Sequence, residues 1–155
     1  MLTLRPPKPD EAPALTALCL RSKAVWGYDK TFMDACRNEL TLAPAELRSS
    51  YVQVAEIDGQ LIGIVQVSLR GKVAELSKLF VEPSRLGAGT GRVLFEWATA
   101  AARKVGATTL VIESDPSVAG FYQRMGVVND GTAPSGSIPG RFIPSGLSWK
   151  FLGAC

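Results

Sequence analysis

The chain has 155 residues and a formal net charge of +3, long enough to bury one core and too short for two comfortable ones. Hydrophobic residues make up 46% and charged residues 20%. That is a globular composition, and so small a charge surplus gives no reason to expect nucleic acid or an anionic membrane as a partner. Histidine is absent, which removes the usual Ser-His and Cys-His hydrolase mechanisms. No apolar run approaches the about 20 residues of a membrane span, and the start MLTLRPPKPDEAPA has no apolar signal core. Cys19, Cys36 and Cys155 are widely spaced and form no CxxC pair. They read as reduced thiols of a cytoplasmic protein and, without histidine, as a poor metal site.

In chain order, Leu2 to Arg5 alternate and stop at Pro6-Pro7, which predicts a first strand. Asp10 is placed to cap a helix carrying Ala14, Leu15 and Leu18 and ending near Trp26-Gly27. A second helix fits 29–40, with Phe32, Cys36 and Leu40 on one stripe. Residues 51–57 and 61–69 read as a hairpin about Asp58-Gly59, and Gly71-Lys72 turns into a further strand at 73–81. A glycine-rich loop runs from Pro83 to Gly91. An amphipathic helix follows from about Thr90 to Val105, stopped by Gly106. Residues 108–112 are a buried strand by composition. A helix at 117–125 starts after Pro116, and a last strand is expected near 147–152. The order predicts one α+β domain over 1–155, a mixed sheet with helices on its faces.

The informative segment is Leu79-Phe80-Val81-Glu82-Pro83-Ser84-Arg85-Leu86-Gly87-Ala88-Gly89-Thr90-Gly91-Arg92. A strand enters a loop of alternating glycines and the loop enters a helix. Glycines let main-chain N–H groups turn inward and an anion approach closely. The helix start adds free donors and partial positive charge, and Arg85 and Arg92 bracket the loop. The arrangement predicts a pyrophosphate cradle that needs no metal. A Walker loop would require Gly-Lys-Ser/Thr, but Gly91 is followed by Arg92-Val93. The dinucleotide fingerprint fails because Arg92 stands at its last glycine position.

Leu86-Gly87-Ala88-Gly89-Thr90-Gly91 resembles motif A of the GNAT N-acetyltransferase superfamily, Q/R-x-x-G-x-G/A. It departs at Leu86, with Arg85 one residue earlier. Phe121-Tyr122-Gln123-Arg124-Met125-Gly126-Val127 is similar to motif B of that family, one helix and one strand further on. The resemblance implies a central mixed, mostly antiparallel sheet flanked by helices on both faces. It also implies an acetyl-CoA-dependent N-acetyltransferase whose amine acceptor, a small molecule or peptide, attacks the thioester directly. A non-catalytic acyl-CoA-binding module on the same fold remains a rival, as does a nucleotide phosphate-binding enzyme. The family's frequent dimers leave a homodimer open.

The resemblance also assigns candidate residues. The main chain of Phe80 and Val81 is expected at the thioester and pantetheine arm. Arg85, Leu86, Gly87, Ala88, Gly89, Thr90, Gly91 and Arg92 are expected around the diphosphate, with Ser114, Phe121 and Tyr122 completing the donor groove. Tyr122 matches the family's general acid, and a phenol can protonate a thiolate of similar basicity. Glu75 matches the general base of histone-type members, and period-two alternation would put it on one face with Leu79 and Val81. Glu82 and Glu113 are weaker alternatives, and a water relay is a further one. Asp115 either orients the amine or caps the helix after Pro116. Trp26 and Tyr28, between the first two helices, either hold the acceptor or pack helix on helix. Cys19 and Cys36 read as small core residues.

Overall fold

The computed structural model describes residues 1–49, 51–134 and 142–150. Its elements are β1 (Leu2–Arg5), α1 (Ala12–Ala24), α2 (Lys30–Leu40), α3 (Pro44–Ser49), β2 (Tyr51–Ile57), β3 (Gln60–Arg70), β4 (Val73–Val81), α4 (Thr90–Lys104), β5 (Thr109–Glu113), α5 (Ala119–Arg124), β6 (Val128–Pro134) and β7 (Phe142–Lys150). Single 3-10 turns precede α1, α4 and α5. The sheet order is β1-β2-β3-β4-β5-β7-β6. β4 and β5 run parallel and every other pair is antiparallel. This is the mixed, mostly antiparallel sheet that the sequence predicts.

Local chemistry sets the elements. Asp58 and Gly59 both take positive φ, 50° and 79°, the turn whose twist matches the β2–β3 hairpin. Asp29 caps α2 by accepting the Phe32 N–H at 2.9 Å. The expected Asp10 cap does not form. Asp10 lies inside the 3-10 turn Pro9–Glu11, where Glu11 takes the Lys8 N–H at 2.7 Å and holds Arg5 at 2.7 Å. The short α3 and strand β6 were not expected, and β7 begins at Phe142 rather than near 147. The segment 135–141, which includes the loop Ser137 to Arg141, and the tail 151–155 with Cys155 lie outside the described residues.

Helices cover both faces of the sheet. On one, Leu94, Phe95, Ala98 and Ala102 of α4 and Tyr122 of α5 pack on Ile62, Val65, Val67, Ala74, Leu110 and Ile112. On the other, Leu15, Leu18 and Cys19 of α1 and Cys36 and Leu40 of α2 pack on Val52, Val54 and Ile64. Each buried leucine or isoleucine contributes about 1.5–3 kcal/mol. Gly63 sets how closely α4 approaches, since a Cβ there would stand 2.8 Å from Leu94 Cδ1.

Candidate active site

The site begins where two strands part. β4 stays paired with β3 as far as Gly63↔Val81. With β5 it pairs only over Val73–Glu75 against Thr109–Val111, and Ile112 and Glu113 pair with β7 instead. From Leu76 to Val81 that edge of β4 has no strand partner among the described residues, so main-chain polar groups lie free beside an opening. The opening is a cleft of about 490 Å³, within the range of small-molecule sites. Leu79, Phe80 and Val81 line it from β4. Arg85, Leu86, Gly87, Gly89, Gly91 and Arg92 line it from the glycine loop and the start of α4. Gly120, Phe121, Tyr122 and Arg124 line it from α5.

The loop geometry requires its glycines, Gly87 among them with φ 79°. Gly89 is the N-cap of α4 with φ 87°, a conformation costly for any residue with a Cβ. Gly91, in the first turn, lies against the Phe121 ring, and a Cβ there would sit 3.2 Å from Cε1. The N–H groups of residues 87–92 find no acceptor among the described residues, the first intrahelical bond being Val93 N–H to Gly89 O at 3.2 Å. Such a run of donors at a helix start suits an anion. Arg85 and Arg92 stand at its two sides, Arg92 sharing Nε with Glu96 at 3.1 Å. Ala88 and Thr90, expected around the anion, do not line the cleft through their side chains. Ala88 is exposed and Thr90 is buried beneath the turn.

Tyr122 sits at the cleft wall with 8% of its surface exposed. Its ring packs against Phe95 and Phe121, at centroid separations of 6.1 and 5.1 Å. Burial pushes the phenol well above its ordinary value. Its hydroxyl has no hydrogen-bond partner among the described residues.

The pattern of the acetyltransferase (GNAT) family matches residues 17–127, more than half of the chain and all of the cleft-forming core. This chain belongs to the GNAT acetyltransferase family. Solved structures agree on the fold. A GCN5-related N-acetyltransferase from Rhodopseudomonas palustris is 22% identical, with a TM-score of 0.76 over 94% of this chain and 92% of that one. The PaiA N-acetyltransferase of Thermoplasma acidophilum, solved with coenzyme A, is 17% identical, with a TM-score of 0.69 over 94% and 98%. A GNAT acetyltransferase from Brucella melitensis, solved with acetyl-CoA, is 22% identical, with a TM-score of 0.62 over 93% and 86%. No curated protein matches the chain in sequence.

Within this GNAT cleft, a further part of the wall comes from the end of α1 and the residues just after it: Ser22, Lys23, Val25 and Trp26. Trp26 lines the cleft and is 42% exposed. Tyr28 does not line it, but its hydroxyl donates to Asp115, 2.8 Å from Oδ2, across 87 residues of chain. Asp115 lines the cleft, caps the turn at Pro116 through the Ser117 N–H at 2.8 Å, and pairs with the Lys23 ammonium. It therefore both caps the turn and lines the cleft. Burial works to raise the Asp115 carboxyl, but Lys23, the Ser117 N–H and Tyr28 outweigh it and hold the group below the usual carboxylate range. Ser114 is buried behind the wall, its hydroxyl donating to the Asp115 carbonyl at 3.2 Å. The sequence reading did not single out Lys23, Ser22, Ser117 or Arg124 as site residues. Lys23 was hidden because nothing local marks a helix lysine as turned inward.

The expected alignment of Glu75 with Leu79 and Val81 is corrected by a bulge. Between Gln66↔Lys78 and Val67↔Leu76 the register shifts, leaving Ser77 as an extra residue. Ala74 and Leu76 then share a face with Leu79 and Val81, and Glu75, between the first two, lies on the opposite face. Its carboxylate is 3.8 Å from Arg70 and does not line the cleft. Glu82 is held two-pronged by Arg21, at 3.1 and 2.6 Å, and neither it nor the exposed Glu113 lines the cleft. Among the described residues no group of three or more His, Cys, Asp or Glu side chains is placed to hold a metal ion. No described helix is long and apolar enough to cross a membrane.

Proposed function

We propose that this chain is an N-acetyltransferase that passes the acetyl group of acetyl-CoA directly to an amine in a ternary complex. One observation carries the reading: the unpaired edge of β4 and the free N–H groups of the glycine loop open into the same cleft. That suits a ligand with an amide-bearing arm at one end and a diphosphate at the other. Acetyl-CoA supplies the thioester whose carbonyl the amine attacks and whose thiol leaves.

The chain's own residues then divide the work. N–H groups of residues 87–92, with Arg85 and Arg92, hold the diphosphate. The main chain of Phe80 and Val81 pairs with the arm and polarises the carbonyl. Gly91 against Phe121 fixes the spacing between α4 and α5. Tyr122 holds a proton at its phenol oxygen and gives it to the leaving sulfur. We assign no side-chain base. Glu75, Glu82 and Glu113 stand off the cleft and Asp115 is engaged, so the amine's proton goes to solvent water.

The acceptor, a small molecule or peptide amine, enters past Trp26. The same reading extends the domain over 1–155, because β1 pairs with β2 and β7 with β5 outside the matched segment. It takes the protein as cytoplasmic, with Cys19 and Cys36 as reduced core thiols; burial pushes the Cys19 thiol up to about 12.

The test is thiol release from acetyl-CoA against a broad amine panel. The reading expects amine-dependent release. Saturable coenzyme A binding without turnover would make the chain a binding module. Stabilisation by ATP and not by acetyl-CoA would overturn the donor assignment.

A further inference from the structure

The α1 wall of the cleft holds an ammonium whose hydrogen-bonding capacity is not used up. Lys23 carries three N–H donors. Asp115 takes one, and the rings of Tyr28 and Phe32 lie 5.4 and 5.8 Å from the nitrogen. No other acceptor among the described residues reaches it. Yet the side chain is only 16% exposed, so its remaining donors face the cleft rather than bulk water. Asp115 itself is engaged by Lys23, Tyr28 and Ser117 and offers little to a further cation. The charged side chains lining the cleft are Lys23, Arg85, Arg92 and Arg124 against Asp115. Beside Lys23, Val25 and Trp26 present exposed apolar surface.

With Arg85 and Arg92 neutralised by the diphosphate, Lys23 and Arg124 remain against Asp115, so a polycationic acceptor would meet a positive remainder with no spare carboxylate to hold it. An amine that also carries a carboxylate meets the reverse, an attractive field and an ammonium with donors to give. We propose that the acceptor is amino-acid-like: its carboxylate is bound by Lys23 and its apolar body rests on Val25 and Trp26, which leaves the amine free to reach the β4 edge. This names the substrate class of the acetyltransferase site and rests on that reading.

The experiment measures kcat/KM in the thiol assay for L-phenylalanine and L-leucine, for their C-terminal amides and for spermidine, with rates referred to the deprotonated amine. The acids are expected to exceed their amides by on the order of tenfold, mainly in KM, the worth of one charge-assisted hydrogen bond, and spermidine to be slowest. In Lys23→Met the acid-to-amide ratio should collapse toward one, and in Lys23→Arg it should persist. A ratio does not depend on how much of a variant is folded. Equal acids and amides in the unmodified enzyme, preference for spermidine, or no amino acid acetylated while calorimetry shows coenzyme A bound would each overturn the proposal. Loss of both turnover and coenzyme A binding would instead remove the acetyltransferase reading beneath it.

Discussion

The family resemblance points to Tyr122 as acid and Glu75 as base, and the fold treats them oppositely: Tyr122 lines the cleft and Glu75 does not. Tyr122→Phe removes only the hydroxyl from a packed ring, so kcat should fall on the order of 10²-fold while the dissociation constant for acetyl-CoA barely moves. Equal turnover, measured at saturating donor, would end its role as acid. Glu75→Gln should leave kcat/KM within about twofold across the pH range, because the carboxylate lies by Arg70 and does not line the cleft; loss of the acidic limb of the pH profile, where a general base takes up its proton, would contradict this. Asp115 sets a pH dependence of stability. Its carboxyl is held below its ordinary 3.8, so its contribution is full above that pH and is lost as pH falls through the lower folded value. Asp115→Asn should therefore have a lower Tm at neutral pH, and the gap to the unmodified protein should narrow below pH 3.8. A gap constant with pH would show that the ion pair contributes nothing.

At the scale of elements, the glycine loop was legible because its chemistry is local. A strand, alternating glycines and a helix start can be read without knowing what packs on them. Gly89→Glu places a side chain at φ 87° and a negative charge where an anion should bind. Strain of about 1–2 kcal/mol would add to repulsion, and acetyl-CoA affinity should fall by at least about tenfold. Unchanged affinity by calorimetry would place the cradle elsewhere. The bulge at Ser77 was not legible. An extra residue in a strand shows only against its partner's register, and without it the alternation of 73–81 points Glu75 the wrong way. The short α3 and β6 were hidden for a related reason: six residues that begin with a proline, or a run holding glycine and proline, carry too little periodicity to outweigh turn chemistry.

For the whole molecule, the order of elements and a mixed sheet with helices on its faces followed from hydrophobic spacing, while the splay of β4 from its neighbour was implied only by the family resemblance. That parting depends on how β5 divides its pairing between β4 and β7, a long-range matter that no window of sequence contains. The same holds for the Lys23, Tyr28 and Asp115 cluster, assembled from α1, the turn before α2 and the end of β5. Function here is a product of topology. One strand pair opens, and a helix start, a buried phenol and an ammonium are delivered to the opening from separate parts of the chain. The most direct test is isothermal titration of the protein with coenzyme A. Saturable binding at one site per chain, weakened by Gly89→Glu, is the predicted result; heats of dilution alone would contradict the account.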